Sequence, residues 1–332
     1  MTINQTLIPI QTAPIDAPVR LRATTPAELV ALVPCLFGFN PSNSIIVLAF
    51  KNKQLVMTGR VDADIISDVQ QFRDRLDSIA TQGDVVFFIA WMDDILMAER
   101  AIKLAGTLLS HVNERIIVSK GMCRGRVGPW MPCVTPPRQA GLSGLRILPS
   151  REAVASQIIG PPDDDPAANR RWNIALNRVR RQDDTGRLER LNHLLSLGLV
   201  KASKLTITQK SELAALAYVG AVRDQIWQYL NDQTARQHVE LWKSVVATVA
   251  EAGSCAPLGL LAMAAWLDGQ GALLNCSIQR GLTIDPEHSL LKLVQIIIDN
   301  VLPPTAWPQM RSTLLGDALD NDAESLTVLG NH

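Results

Sequence analysis

The sequence predicts an N-terminal mixed α/β sheet domain (19–150) followed by an all-helical domain (167–318). Two observations predict this fold class. Short apolar runs that fit strands alternate with amphipathic helical patterns up to about residue 122, which is typical of an α/β sheet. From residue 167 onward the apolar residues follow helical periods only. A chain of 332 residues is also long enough for two domains.

Three further segments lie outside these two domains. Residues 1–18 are predicted to be a flexible leader rich in Pro and Thr. Residues 151–166 are predicted to be a linker, because they end in the sequence PPDDDP, which is typical of a boundary. Residues 319–332 are predicted to be a tail.

Composition excludes several classes of protein. Lys+Arg and Asp+Glu are balanced at 32 each, so no global charge draws the chain to nucleic acid or to an anionic membrane. We find neither a signal-peptide pattern nor an apolar run of the roughly 18 residues that a membrane span needs. Five irregularly spaced cysteines indicate free thiols rather than a disulfide framework, which predicts a cytoplasmic location. Cys35, Cys255 and Cys276 are predicted to be buried thiols.

The first domain is predicted to contain a mixed sheet. Predicted strands cover 19–23, 44–50, 55–63, 84–91 and 114–122. The second and third of these are expected to form a hairpin, and the apolar run 44–50 fits a strand that is covered on both faces. Predicted helices begin after an N-cap at Thr25, cover 65–82, and begin near Asp93 or Asp94. Pro34 is expected to end or kink the first helix.

Two loops of the first domain are candidates for function. The stretch Gly38-Phe39-Asn40-Pro41 fits a left-handed helix terminus followed by a turn. It precedes a strand, so we expect it away from the carboxyl ends of strands, where α/β sheets bind ligands, and we interpret it as a turn. Residues 123–144 are rich in Gly and Pro and predict a long loop, and such loops are often functional.

The candidate ligand-binding residues are two acids, two arginines and a tryptophan. Asp62 and Asp64 follow a strand, where they could hold a hard cation or, as we favour, cap the next helix. Arg124 and Arg126, with Trp130, form a basic and aromatic group that suits a phosphate or carboxylate. The alternative is a solvated loop whose arginines pair with nearby acids. A small anionic ligand could therefore bind between the sheet's carboxyl edge and this loop.

No motif in the sequence predicts a catalytic residue, a metal site or a cofactor. Cys123 and Cys133 are ten residues apart with no nearby histidine, so we interpret them as loop thiols rather than zinc ligands. The histidines at 111, 193, 238 and 288 are scattered and are predicted to lie at helix surfaces or helix ends. The sequence leaves enzymatic activity open and favours a non-enzymatic protein.

The second domain is predicted to be entirely helical. Helical periods cover 167–181, 186–199, 209–231, 234–252, 256–268, 271–283, 287–300 and 303–319. Arg171, Arg178 and Arg181 lie near one helical face and could contact nucleic acid. Aspartates on both sides of this helix favour a salt-bridged surface helix instead. Trp227, Trp242 and Trp266 fit either a groove or the core, and we favour the core.

Residues 256–289 resemble a tetratricopeptide unit. Ala262 and Ala265 take the small positions of its first helix, Gly269 begins its turn, and Ile278 and Gly281 take packing positions of its second helix. One such unit needs neighbours to bury its faces, and the flanking helices could supply them. The resemblance implies a tetratricopeptide-like helical half.

Most of the chain resembles a larger family. The segments that carry the resemblance are VRLRATTPAELVALVPCLFGFNPSNSIIVLAF, RVDAD, PSREAV, VRDQIW, HVELW, LLAMAAWLDGQGALLNCSIQRGLTIDP and LPPTAW. In order and spacing, roughly from 19 to 308, they are similar to the actinobacterial family called domain of unknown function 4192. The resemblance implies the two-part architecture, an actinobacterial host or its phage, and a cytoplasmic location, but it implies no activity.

These patterns lead to one leading hypothesis and two alternatives. The leading hypothesis is a non-enzymatic interaction or adaptor protein whose helical half binds a protein partner, since helical solenoids mainly serve that use. The first alternative is an enzyme or sensor that binds a small anionic ligand at the sheet edge. The weaker alternative, nucleic-acid binding, is disfavoured by the neutral charge.

Overall fold

The described residues form two compact units. The computed structural model describes residues 25–108, 112–133, 147–300 and 302–313. The first unit holds the described residues up to Val154 and those between 297 and 303, and the second unit holds those from Ala155 to Ile296 and from Pro304 onward. The structure confirms the predicted order of a mixed sheet followed by a helical half.

The first unit is built on a six-stranded sheet. Its strands are β1 (Ser44–Lys51), β2 (Gln54–Asp62), β3 (Val85–Trp91), β4 (Val112–Ser119), β5 (Met122–Gly125) and β6 (Met131–Pro132). Their order is β2-β1-β3-β4-β5-β6, and only β3 and β4 are parallel neighbours. The predicted hairpin is confirmed as β1 and β2. The predicted strand 19–23 lies outside the described residues.

The segment 123–144, predicted as a loop, begins instead with a short hairpin. β5 pairs with β4 through a turn at Lys120 and Gly121, whose φ angles of 46° and 75° fit a tight hairpin turn. β6 then pairs with β5 over two residues. Strands this short are too brief to show an alternation of apolar and polar residues. The many Gly and Pro residues of the segment favoured the prediction of a loop. Residues 134–146 of the predicted loop lie outside the described residues.

Helices cover both faces of the sheet. The helices of this unit are α1 (Pro26–Phe37), α2 (Val69–Ala80), α3 (Ile95–Leu108) and the short α4 (Arg151–Ala155). α1 packs its Leu29, Val30 and Val33 against one face, while α2 and α3 pack on the other. The first six residues of β1 are therefore buried, which confirms the prediction of a strand covered on both faces.

The first helix begins as predicted but ends later than predicted. The Thr25 hydroxyl accepts from the Glu28 N–H at 3.2 Å, and the Glu28 carboxylate accepts from the Thr25 N–H at 3.3 Å, which is a capping box. Of the two alternatives given for Pro34, an end or a kink of the helix, the first is wrong, because α1 continues to Phe37. Proline removes one donor, and the carbonyl of Pro34 still accepts from the Gly38 N–H at 2.8 Å. Gly38 adopts the predicted left-handed conformation, with a φ of 75°.

The chain after α4 is helical. Its helices are α5 (Pro166–Arg181), α6 (Asp184–Val200), α7 (Ile207–Tyr218), α8 (Gly220–Ile226), α9 (Ala235–Val246), α10 (Cys255–Leu267), α11 (Gly271–Ile284) and α12 (Ser289–Asp299). Residues 307–313 are also helical. The single helix predicted over 209–231 is two helices, because the backbone at Val219 is extended. No helix among the described residues is both long enough and apolar enough to cross a membrane.

The core of the second unit surrounds α10, in which every residue is buried. Trp227, Trp242 and Trp266 are 6%, 0% and 7% exposed, which confirms that they belong to the core. α10 and α11 are joined by a turn at Gly269, whose φ is 71°. A Cβ at Gly281 would lie 2.4 Å from Leu291 Cδ1, so α11 packs closely against α12 there. The tetratricopeptide-like character of this pair stays a prediction.

We expect Gly83→Ala to destabilise the first unit by about 2 kcal/mol, because overpacking against a fixed backbone costs roughly 1–3 kcal/mol. A Cβ at Gly83 would lie 2.6 Å from the carbonyl oxygen of Phe50 and 2.8 Å from its nitrogen. Urea unfolding measures the change. The control is Gly271→Ala, where no atom lies within 4 Å, and where we expect no loss of stability. Equal unfolding midpoints for the two variants would contradict this packing.

Candidate functional site

The sheet separates the predicted ligand-binding acids from the predicted arginines. Asp62 ends β2 at one edge of the sheet, while Arg124 lies in β5, four strand positions away. Four strand spacings of about 4.8 Å place the two strands about 19 Å apart. A small ligand held by both groups would have to span that distance, so the structure does not bring the two halves of the predicted site together.

Asp62 and Asp64 have different surroundings from those predicted. The Asp62 carboxylate accepts from Arg60 Nη2 at 2.7 Å and does not cap the 3-10 helix that follows it. The capping prediction is therefore wrong for Asp62, and Asp68 caps α2 instead by accepting from the Gln71 N–H at 3.0 Å. Asp64 is exposed. Within the described ranges, no three His, Cys, Asp or Glu side chains form a group that could hold a metal ion.

The turn at Gly38-Phe39-Asn40-Pro41 lies near the carboxyl ends of the central strands, whereas we expected it at their amino ends. Because β1 is antiparallel to β3, Ser44 at the start of β1 pairs with Trp91 at the end of β3. The turn therefore leads to the carboxyl edge of β3 and β4. Phe39 is 1% exposed beneath the Arg60 guanidinium, 5.7 Å from its ring centroid, and Arg60 Nε donates to Ser44 Oγ at 2.9 Å. These contacts are structural, which agrees with the interpretation as a turn.

Arg124 and Trp130 do come together, but Arg124 already has an acidic partner. Its guanidinium lies 4.8 Å from the Trp130 ring centroid and donates to Glu99 Oε1 of α3 at 2.8 Å. This is the arrangement that we gave as the alternative to ligand binding. Arg126 is exposed in the bend after β5. An anion site at Arg124, Arg126 and Trp130 stays a prediction.

The second unit contains an ion pair that the sequence analysis missed, between a buried glutamate and an arginine whose side chain is 30% exposed. The side chain of Glu212 in α7 is 3% exposed and accepts from Arg190 Nη2 of α6 at 2.6 Å. Arg178 of α5 lies 3.9 Å from its other oxygen. The hydrogen bond that Arg190 donates to Glu212 raises the pKa of Arg190. The only sequence signal was a single glutamate inside the otherwise apolar run SELAALA.

His238 is fully buried, so its predicted place at a helix surface is wrong. Trp242 Nε1 donates to His238 Nδ1 at 3.3 Å, and because an indole N–H only donates, the ring proton of His238 lies on Nε2. That nitrogen donates to the carbonyl oxygen of Tyr229, also at 3.3 Å. Burial lowers the pKa of His238 to about 4, because it penalises the charged imidazolium. The neutral ring is a structural link between α9 and the segment before it.

The outer face of α5 is basic. This helix carries five arginines and no acid. Its buried face consists of Ala168, Trp172, Ala175 and Val179. On the opposite side, at helical spacings of four, three and four, lie Arg170, Ile174, Asn177 and Arg181, all exposed. We call these four residues the α5 stripe. Ile174 in the stripe is 51% exposed.

Among the described residues, the neighbouring aspartates form no ion pair with the α5 stripe, so the expected salt-bridged helix is found only at Arg178, which pairs with Glu212. Asp165 caps α5 by accepting from the Ala167 N–H at 2.8 Å, and Asp183 caps α6 by accepting from the Gly186 N–H at 2.9 Å. Asp184 pairs with Arg187 of its own helix. Among the α5 arginines, Arg178 alone has an acidic partner in the described part of the chain.

The cysteines are free thiols. Cys35, Cys255 and Cys276 are buried, as predicted, and burial raises the pKa of Cys255 to about 11. Cys123 and Cys133, predicted to be loop thiols, lie in β5 and directly after β6. Cys123 is 3% exposed and is therefore a core residue of the sheet rather than a loop residue.

Comparisons with known proteins place the chain in a family. A search of curated proteins and a search of solved structures each found no match. The family model described as "Domain of unknown function (DUF4192)" matches residues 26–305. That range begins at the first residue of α1, continues through the sheet and α5 to α12, and covers most of the chain. The chain therefore belongs to the DUF4192 family.

Proposed function

We propose that this protein is a non-enzymatic, cytoplasmic interaction protein whose helical half binds an acidic segment of a partner protein along the α5 stripe. The observation that supports this most strongly is that Arg170 and Arg181 lie on the same exposed face of α5. Among the described residues, neither side chain forms an ion pair. An acidic segment would supply the carboxylates that these guanidinium groups lack.

A protein partner is favoured over nucleic acid by the composition of the stripe. Exposed Ile174 and Asn177 lie between the two arginines, and a mixture of arginine with apolar contact area is typical of protein interfaces. Exposed Asp163 and Asp164 lie just before the start of α5. Their negative charge would repel a phosphate backbone that extended beyond the helix, whereas a short acidic segment can end before it reaches them.

A non-enzymatic role is favoured by the partners of two buried ionisable groups in the helical half and of two arginines in the first unit. Glu212 pairs with arginines, and His238 has a structural partner at each ring nitrogen. In the first unit, Arg60 engages Asp62, and Arg124 engages Glu99. A catalytic acid, base or nucleophile has to face its substrate. Each of these groups is instead bonded to another group of the protein. The enzyme or sensor alternative has no comparable support from these contacts.

Site-specific photo-cross-linking tests this proposal. A photoreactive amino acid replaces Ile174 in the stripe, and the matched control replaces Ile207 at the start of α7, because the two side chains are 51% and 54% exposed. In nuclease-treated extract we expect position 174 to give a discrete protein adduct through an Asp- and Glu-rich peptide, and position 207 to give none. Adducts lost on nuclease treatment would indicate nucleic acid instead. The same adducts from both positions would reject the stripe as the binding surface.

A further inference from the structure

The β5–β6 hairpin brings two cysteines to the same face of the sheet. Cys123 pairs with Met131 across the hairpin, and the Cys133 N–H donates to the carbonyl of Gly121 at 2.8 Å. Cys133 is therefore the diagonal cross-strand neighbour of Cys123, and diagonal neighbours point to the same side. Both side chains pack with the residues beneath α1. The spacing of ten residues does not fit a zinc site, but in the register of this hairpin it places the two cysteines side by side.

The two thiols differ in accessibility and lie beside each other on the sheet. Cys123 is 3% exposed, whereas Cys133 is partly exposed just beyond the end of β6. Burial, together with the neighbouring Cys123, raises the pKa of Cys133 to about 11. An accessible thiol beside a buried one is the arrangement in which the first can attack a small disulfide in solution and the second can resolve the product.

We propose that Cys123 and Cys133 are a reversible dithiol–disulfide pair whose oxidant is a low-molecular-weight disulfide. The thiolate of Cys133 attacks one sulfur of the small disulfide, forms a mixed disulfide and releases one small thiol. The thiolate of Cys123 then attacks the sulfur of Cys133 and releases the second small thiol. The two cysteines are oxidised, the small disulfide is reduced, and the two cysteine protons leave on the two small thiols.

Oxidation would close a covalent ring across the outer edge of the sheet. Disulfides need Cα atoms within about 7 Å of each other, and diagonal strand neighbours lie about 7–8 Å apart, so closing the bond requires a small movement of the backbone. β6 contains only two residues, so the chain at Cys133 can adjust at little cost to the sheet. The ring would enclose Arg124, Arg126 and Trp130, the group first considered for anion binding, and would restrict its motion.

Incubation of the full chain with oxidised and reduced glutathione at pH 8.5, followed by acid quenching and non-reducing tryptic mapping, tests this inference. We expect peptides 121–124 and 127–138 to be recovered linked through Cys123 and Cys133, and separate after reduction. Because exchange requires the thiolate, the rate should rise about tenfold per pH unit between roughly pH 7 and 9.

Two variants separate resolution by Cys123 from simple modification of a surface thiol. Cys123→Ala should accumulate a glutathione adduct on Cys133 that the natural chain does not retain. Cys133→Ser should leave Cys123 unmodified, because that side chain is 3% exposed. Cys276→Ala, the control at a buried cysteine, should still form the link. A stable glutathione adduct on Cys133 of the natural chain, or free thiols at both positions after full equilibration, would overturn the inference.

Discussion

Arg190→Met should lower the free energy of unfolding of the helical unit by about 3 kcal/mol, because removing one partner of a buried ion pair typically costs 3–5 kcal/mol. Glu212, with a side chain only 3% exposed, would lose its hydrogen bond from Arg190 and keep its charge in the core. Arg178, at 3.9 Å and 54% exposed, can compensate in part, which places the expected loss at the lower end of that range. Urea denaturation followed by tryptophan fluorescence measures it.

The matched control removes both charges. Because an apolar pair of similar volume is often as stable as a buried ion pair, Arg190→Met combined with Glu212→Leu should recover most of the stability lost in the single variant. If the single variant unfolds within about 0.5 kcal/mol of the natural chain, as surface substitutions usually do, then Glu212 is not a buried charge that needs Arg190.

Acidification should destabilise the helical unit through His238. The pKa of this ring is about 4 in the folded chain, against an ordinary value of 6.5, because burial disfavours the imidazolium. Between these values the unfolded chain binds more protons than the folded chain, so stability falls as the pH falls. The contribution is complete above about pH 6.5 and is lost by about pH 4, and at 1.36 kcal/mol per pKa unit it amounts to about 3 kcal/mol.

A comparison of two histidine variants isolates this contribution. His238→Gln removes the titrating ring, so its unfolding free energy should change less between pH 7 and pH 4.5 than that of the natural chain. His193→Gln changes an exposed ring and should keep the full pH dependence. Identical pH slopes for the two variants would mean that His238 is not the group that titrates on unfolding.

Prediction from the sequence succeeded for elements that depend on residues nearby in the chain. It failed for very short strands and for contacts between residues that are distant in the chain. The apolar run of β1 and the N-cap at Thr25 depend on neighbours in the chain, and both were predicted correctly. The hairpin of β5 and β6 was missed because a two-residue strand has no period. Glu212 and His238 were not recognised as buried, because their partners or surroundings come from other parts of the helical unit.

The candidate site shows the same limit. The spacing of the α5 arginines is visible in the sequence, but of the two arginines in the stripe only Arg181 was named from it, and Arg170 was missed. Whether nearby aspartates pair with them was not visible, because an aspartate beside a helix can equally well cap it. Asp165 and Asp183 act as caps, so their carboxylates are directed to backbone N–H groups instead of guanidinium groups. Only side-chain geometry separates these two outcomes.

The most direct test of the proposed function measures how tightly the acidic segment of the cross-linked partner binds a variant in which the charges of the α5 stripe are reversed. We predict that Arg170→Glu with Arg181→Glu weakens binding about tenfold or more, and that the natural interaction weakens as salt rises. Arg73→Glu with Lys103→Glu makes the same change in net charge at exposed positions of the first unit and should bind normally. If the stripe variant binds as tightly as the natural chain, the α5 stripe is not the binding surface and the account is wrong.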